Sequence, residues 1–127
     1  MKKIDYKKIL NCGSYLHVLD KLPFKVKRIY YYKTLKKKYT RYGHAHKKLK
    51  QVYICLSGSI QINMINRNNN KTTKVINKDN PFVIIKENIW REIIVLKDKS
   101  SLLVLASENY KESDYIRNLS EFLQNKK

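Results

Sequence analysis

Gly43-His44-Ala45-His46 holds two of the chain's three histidines, two positions apart at the head of a long β-rich stretch. On a strand, side chains at i and i+2 share a face, so both imidazoles converge on one place. Histidine has an unperturbed pKa of about 6.5, which lets it take and give a proton near neutral pH, and it is also a common metal ligand. The pair therefore admits two chemistries, proton transfer and metal binding.

Metal binding needs at least three well-placed ligands. Lys47, Lys48, Leu49, Lys50 and Gln51 follow the pair, no histidine comes after His46, and His17 lies far upstream. Cys12 sits in a polar stretch and Cys55 in an apolar run, a pattern that is neither a zinc motif nor a disulfide framework. The site is read as metal-free, which leaves acid–base chemistry or two histidines, solvent-exposed or satisfied in the core, with no chemical role.

The elements that must position the pair read as antiparallel sheet. Turn signals recur at Ser57-Gly58, Asn66 to Asn70, Lys78 to Pro81, Lys86 to Asn88 and Lys97 to Lys99. Between and before them, β-branched and aromatic runs predict strands at Lys25 to Tyr32, Gln51 to Leu56, Ser59 to Met64, Thr72 to Ile76, Phe82 to Ile85, Ile89 to Leu96 and Ser101 to Ala106. Val52 to Leu56 has no polar alternation and is expected to be covered on both faces, whereas Ile60, Ile62 and Met64 alternate with polar residues. Tyr115, Ile116, Leu119, Phe122 and Leu123 form an amphipathic helical stripe, with Ser113 placed to cap it.

A chain of 127 residues, 43% hydrophobic, suits one domain over 1–127 with a single core. No apolar segment follows the basic N-terminus, and none runs long enough without charge to cross a bilayer. A soluble, cytosolic protein without a membrane partner is expected. The net charge of +18 is nearly all lysine, spread along the chain and accompanied by abundant Asn, Ile and Tyr. AT-rich codons favour that composition, and no nucleic-acid signature accompanies it, so nucleic acid is not the expected partner. A positive field of this size would still draw in a small phosphorylated anion.

A histidine pair on a barrel strand suggests a cupin, and an ordered series of motifs narrows the class. Leu22-Pro23-Phe24-Lys25-Val26-Lys27-Arg28-Ile29-Tyr30-Tyr31 is followed by Arg41-Tyr42-Gly43-His44-Ala45-His46-Lys47-Lys48-Leu49-Lys50-Gln51-Val52. Then come Leu56-Ser57-Gly58-Ser59, Ile89-Trp90-Arg91-Glu92, Leu103-Val104-Leu105-Ala106-Ser107 and Asp114-Tyr115-Ile116-Arg117. Across nearly the whole chain this series resembles the dTDP-sugar 3,4-ketoisomerases, metal-independent cupins that feed synthesis of 3-amino-3,6-dideoxyhexoses for bacterial surface glycans, among them lipopolysaccharide.

The resemblance implies an all-β antiparallel jelly roll with one C-terminal helix, forming a homodimer by exchange of N-terminal strands. It implies action on dTDP-4-keto-6-deoxy-D-glucose without any cofactor. His44 then matches the principal proton shuttle, and His46 positions it or relays the proton. Activity should fade in acid, because neutral imidazole is required. Strand alternation puts Arg28, Tyr30 and Tyr32 on one face, and the match assigns that face to the cavity, with the Tyr30 hydroxyl reaching the sugar. Arg41 suits a pyrophosphate oxygen, since guanidinium offers a planar fork of donors. Arg28, Arg91 and Gln51 are further substrate-binding candidates, and Trp90 is expected to cover the sugar or thymine.

Three departures stand out. The family's Arg-Gly-x-His reads Arg41-Tyr42-Gly43-His44, Lys50 stands where a glutamate is common, and Cys12 precedes Gly13 where relatives carry a larger residue. Two other readings remain: a related nucleotide-sugar cupin performing 3,5-epimerisation, and a non-catalytic cupin that binds a sugar nucleotide or nucleic acid.

Overall fold

The computed structural model describes residues 4–124, so the outermost three residues at each end of the 1–127 domain lie outside the described residues. Eleven strands and a short helix, α1 (Leu119–Gln124), follow one another along these residues. β1 (Asp5–Asn11) and β2 (Ser14–Asp20) form a hairpin, Asn11 paired with Ser14 across a two-residue loop. Cys12 and Gly13 both take positive φ there, 50° and 78°, the pattern of the turn that matches strand twist in tight hairpins.

The remaining strands make two sheets. β3 (Arg28–Leu35), β10 (Ser100–Ala106), β5 (Gln51–Ser57) and β8 (Phe82–Ile85) form one, in that order. The other runs β11 (Tyr115–Ile116), β4 (Thr40–His46), β9 (Ile89–Val95), β6 (Ser59–Asn66) and β7 (Lys71–Asn77). Apolar residues at alternate positions join the two inner faces in one core: Tyr53 and Cys55 from β5, Ile60 and Ile62 from β6, Ile93 and Val95 from β9, Leu102 and Val104 from β10. The architecture is an antiparallel jelly roll with one terminal helix.

The run at Val52 to Leu56 behaves as its composition predicts. Tyr53 and Cys55 face the core, while Val52 and Ile54 pack outward on Leu105, Leu22 and Phe24. Two expectations need correction. The strand expected from Lys25 to Tyr32 is β3 and begins at Arg28, because Leu22, Phe24 and Val26 are used as an irregular cover over that outer cluster. The helix begins at Leu119, and Ser113 is no cap. Tyr115 and Ile116 pair with His46 and Ala45 as a strand, so the helical stripe is broken before it starts. Asn118 caps instead, its side-chain oxygen accepting from the Glu121 N–H at 2.9 Å.

Candidate active site

His44 and His46 are on β4 and face the interior, 4% and 0% exposed. His44 lies opposite Arg91 of β9, and His46 opposite Tyr115 of β11. Their rings meet edge to face with centroids 5.0 Å apart, and Tyr115 covers both, at 5.3 Å from His44 and 4.3 Å from His46.

A bulge makes this arrangement compatible with Arg41. Between the pairs Arg41 with Ile93 and His44 with Arg91, β4 spends three residues against two on β9. The extra residue lets Arg41 and His44, three apart and of opposite parity, address the same side. Gly43 allows the bulge to sit against Trp90, since a Cβ there would lie 2.3 Å from the indole Nε1. Gly43→Ala is therefore expected to cost roughly 1–3 kcal/mol by overpacking and to lower turnover by displacing His44. Urea denaturation beside an activity assay checks it, and a variant as stable and active as the parent would deny the bulge this role.

Polar groups cross the interior from sheet to sheet. Arg91 donates from Nη1 to Gln51 Oε1 at 2.6 Å, and Gln51 Nε2 donates to the Tyr30 hydroxyl at 3.0 Å. Arg41 Nη1 donates to the Tyr32 hydroxyl. Arg91 is 1% exposed and also bonds the Ile89 carbonyl oxygen through Nε. Burial lowers its pKa, against the nearby Tyr53 and Tyr30 phenols, which favour the charge. Burial likewise raises the Tyr53 and Tyr32 phenol pKa values, so both remain hydroxyls at neutral pH. The Arg28 guanidinium lies 4.7 Å over the Tyr30 ring, with Nη1 buried and no hydrogen-bond partner among the described residues.

His46 has a second kind of neighbour. Its Nδ1 is 3.1 Å from Asp114 Oδ2, and that carboxylate also accepts from the Lys48 and Leu49 N–H groups at 2.8 and 3.2 Å. A carboxylate can only accept, so Nδ1 carries the proton and the neutral ring has a bare Nε2. Burial first, then the charges of Arg91, Arg28, Arg117 and Arg41, pull the His46 pKa down to about 3. The ring stays neutral at physiological pH.

The expected residues His44, His46, Tyr30, Tyr32, Arg28, Arg41, Gln51 and Arg91 thus occupy one inward-facing polar cluster. Trp90 does not join it. Next to Arg91 on β9, it points to the opposite face and packs with Ala45, Ile116 and Phe122 beneath α1. Asp114, Tyr115 and Tyr53 were not among the expected site residues. Tyr53 follows Gln51 by two on one strand, a parity signal visible in the sequence. Asp114 and Tyr115 reach the histidines only through the β4–β11 pairing. Among the described residues, no group of three or more His, Cys, Asp or Glu is placed to hold a metal ion, and no helix is long and apolar enough to cross a membrane.

Two facing antiparallel sheets with histidines, tyrosines and arginines directed between them define a cupin of the sugar-isomerase class. The chain belongs to the FdtA family, described as WxcM-like, C-terminal, whose model matches residues 3–127. It is 35% identical over 126 residues to the TDP-4-oxo-6-deoxy-alpha-D-glucose-3,4-oxoisomerase of Aneurinibacillus thermoaerophilus, covering 95% of this chain and 88% of that one. The sugar 3,4-ketoisomerase QdtA of Thermoanaerobacterium thermosaccharolyticum, solved with TDP, superposes with a TM-score of 0.85 at 36% identity over 95% of this chain and 90% of its own. The TDP-quinovose 3,4-ketoisomerase WlaRB of Campylobacter jejuni gives 0.85 at 37% identity over 97% of both chains.

Proposed function

We propose that the chain moves the keto group of dTDP-4-keto-6-deoxy-D-glucose from C4 to C3, in synthesis of dTDP-3-amino-3,6-dideoxyhexoses for surface glycans. The observation that carries this reading is the His44–His46 pair, held on one inward strand face inside a ring of arginines, in a member of a ketoisomerase family. A ketone at C4 acidifies the C3 hydrogen. A base removes that proton, an enediol forms, and reprotonation at C4 leaves the ketone at C3. The reaction needs a near-neutral acid and base beside C3 and C4, and donors for the enediolate oxygen.

His44 is assigned as the principal proton shuttle, with His46 relaying or positioning, and Tyr30 presents a hydroxyl to the sugar. Arg28, with a buried and unpartnered Nη1, and Arg41 are assigned to the diphosphate. Arg91 and Gln51 act here through their mutual hydrogen bond, which fixes the Tyr30 hydroxyl. No cofactor enters the scheme. The epimerisation and binding-only readings have no comparable support.

The enzyme acts in the cytosol as a homodimer with exchanged N-terminal strands. The hairpin supports this, because Ile9, Leu10, Tyr15 and Leu16 are 46%, 65%, 58% and 48% exposed, together a sizeable apolar surface.

Proton NMR of dTDP-4-keto-6-deoxyglucose incubated with the protein in deuterated water, with chelator present, tests the reaction. Solvent deuterium at the reacting carbons and a 3-keto product are expected. Inversion at C5, or binding without exchange, would replace this reading with one of the alternatives. The new C4 centre of the product is expected to have the gluco configuration. Resemblance to members with Trp-Arg-Glu at 90–92 supports this, as does the similarity to the TDP-quinovose enzyme, since quinovose has the gluco configuration. Coupling constants showing an equatorial C4 hydrogen would instead indicate the galacto product.

A further inference from the structure

We infer that Asp114 is a positioning residue of the active site: its carboxylate locks His46 in the Nδ1–H tautomer and so presents Nε2 as the nitrogen through which His46 relays a proton. This deepens the ketoisomerase reading and rests on it.

The carboxylate is well placed for that task. One oxygen accepts the Lys48 N–H, the other accepts both the Leu49 N–H and His46 Nδ1–H, and the Asp114 carbonyl accepts the Lys47 N–H at 2.9 Å. The end of β4 and the segment just after it are thereby clamped to one residue immediately before β11 by four hydrogen bonds, three to the carboxylate and one to the main-chain carbonyl. Tyr115, adjacent in sequence, pairs with His46 and covers its ring at 4.3 Å, which fixes the imidazole plane. Nothing among the described residues bonds Nε2, although it is buried. An acceptor of this kind, with one nitrogen satisfied and the other bare, is prepared for a proton that arrives from elsewhere. When Nε2 takes the C3 proton, directly or from His44, the C3–H electron pair passes into the enediolate. The hydroxyl proton of the enediolate passes from O3 to O4, and the imidazolium, which faces the Asp114 carboxylate, returns its proton to C4, so the 3-ketone and 4-hydroxyl are formed and the ring ends as it began.

Substitution by asparagine separates tautomer control from shape. The shorter of the two backbone bonds, from the Lys48 N–H at 2.8 Å, keeps the Asn carbonyl oxygen, and the NH₂ group takes the place of the oxygen that the Leu49 N–H, at 3.2 Å, shares with Nδ1. An N–H donor at that place favours the opposite tautomer, with the proton on Nε2 and no acceptor there for the proton that His46 relays.

The test is long-range ¹H–¹⁵N correlation of the His46 ring, with kinetics on dTDP-4-keto-6-deoxyglucose. The parent protein is expected to give a protonated Nδ1 and an unprotonated Nε2. Asp114→Asn should reverse the two signals and lower kcat by at least ~100-fold, with KM changed by no more than a few-fold. Asp114→Glu should keep the parent tautomer and recover part of kcat. A parent His46 protonated at Nε2 overturns the inference, as does Asp114→Asn with parental kcat. If Asp114→Asn does not fold, the parent tautomer and Asp114→Glu decide. The tautomer is read without turnover, so a parent protein that fails to isomerise the sugar defeats the functional reading separately.

Discussion

His44→Asn is expected to abolish isomerisation while leaving dTDP binding within a few-fold of the parent. The amide is neutral and close in shape to the imidazole, so the packing of β4 against Tyr115 and His46 is kept as far as any substitution keeps it. What it cannot do is accept and return a proton near neutral pH. Removing a general acid–base should cost at least ~100-fold in kcat. The binding groups assigned to the diphosphate, Arg28 and Arg41, are on other parts of the cluster, and Arg41 keeps its bond to Tyr32. Calorimetric titration with dTDP and a single-turnover assay therefore separate the two effects. A variant with near-parental turnover would remove His44 from the shuttle and leave His46 as the acting base.

Much of this placement was legible from strand parity alone. His44 with His46, and Arg28 with Tyr30 and Tyr32, had to share faces once their segments were strands. Parity also spoke against Trp90, because adjacent residues on a strand face opposite sides, and Arg91 is the one turned inward. Arg41 shows the limit of the same rule: without the bulge its parity would have turned it away from His44, and no residue pattern announced the bulge. The strands from β5 to β10 were legible through their alternation and turn residues. The first hairpin was not, since its Cys12-Gly13 turn lacks the usual Asn-Gly signal and its strands carry several lysines. The C-terminal stripe was misread for a related reason. Tyr115 and Ile116 are apolar because one covers the histidines and the other fills the cluster under α1, demands that a helical period imitates over a few residues. Asp114 was invisible as a site residue because its partner is 68 positions away and reached only through tertiary pairing.

The buried His46 also makes stability depend on pH. Its folded-state pKa is held at about 3 by burial and by Arg91, Arg28, Arg117 and Arg41, while in the unfolded chain it returns to about 6.5. Above pH 6.5 neither state is protonated and the residue contributes no pH dependence. Below it the unfolded chain takes up a proton that the folded chain refuses, so stability falls by about 1.4 kcal/mol per pH unit until the folded ring itself titrates. Asp114 and Tyr115 pack against this ring, and the Asp114 carboxylate does not reverse the effect, because desolvation and four guanidinium charges oppose a second proton. Between pH 7.5 and pH 5 the parent is thus expected to lose ~2 kcal/mol more than His46→Gln, which has nothing to titrate at that position. Urea unfolding of both proteins at the two pH values measures the difference, with all other titrating groups common to the pair. Equal losses in the two proteins would mean that the folded ring accepts its proton in the ordinary range, and that His46 is an imidazolium ion-paired with Asp114 instead of a neutral base.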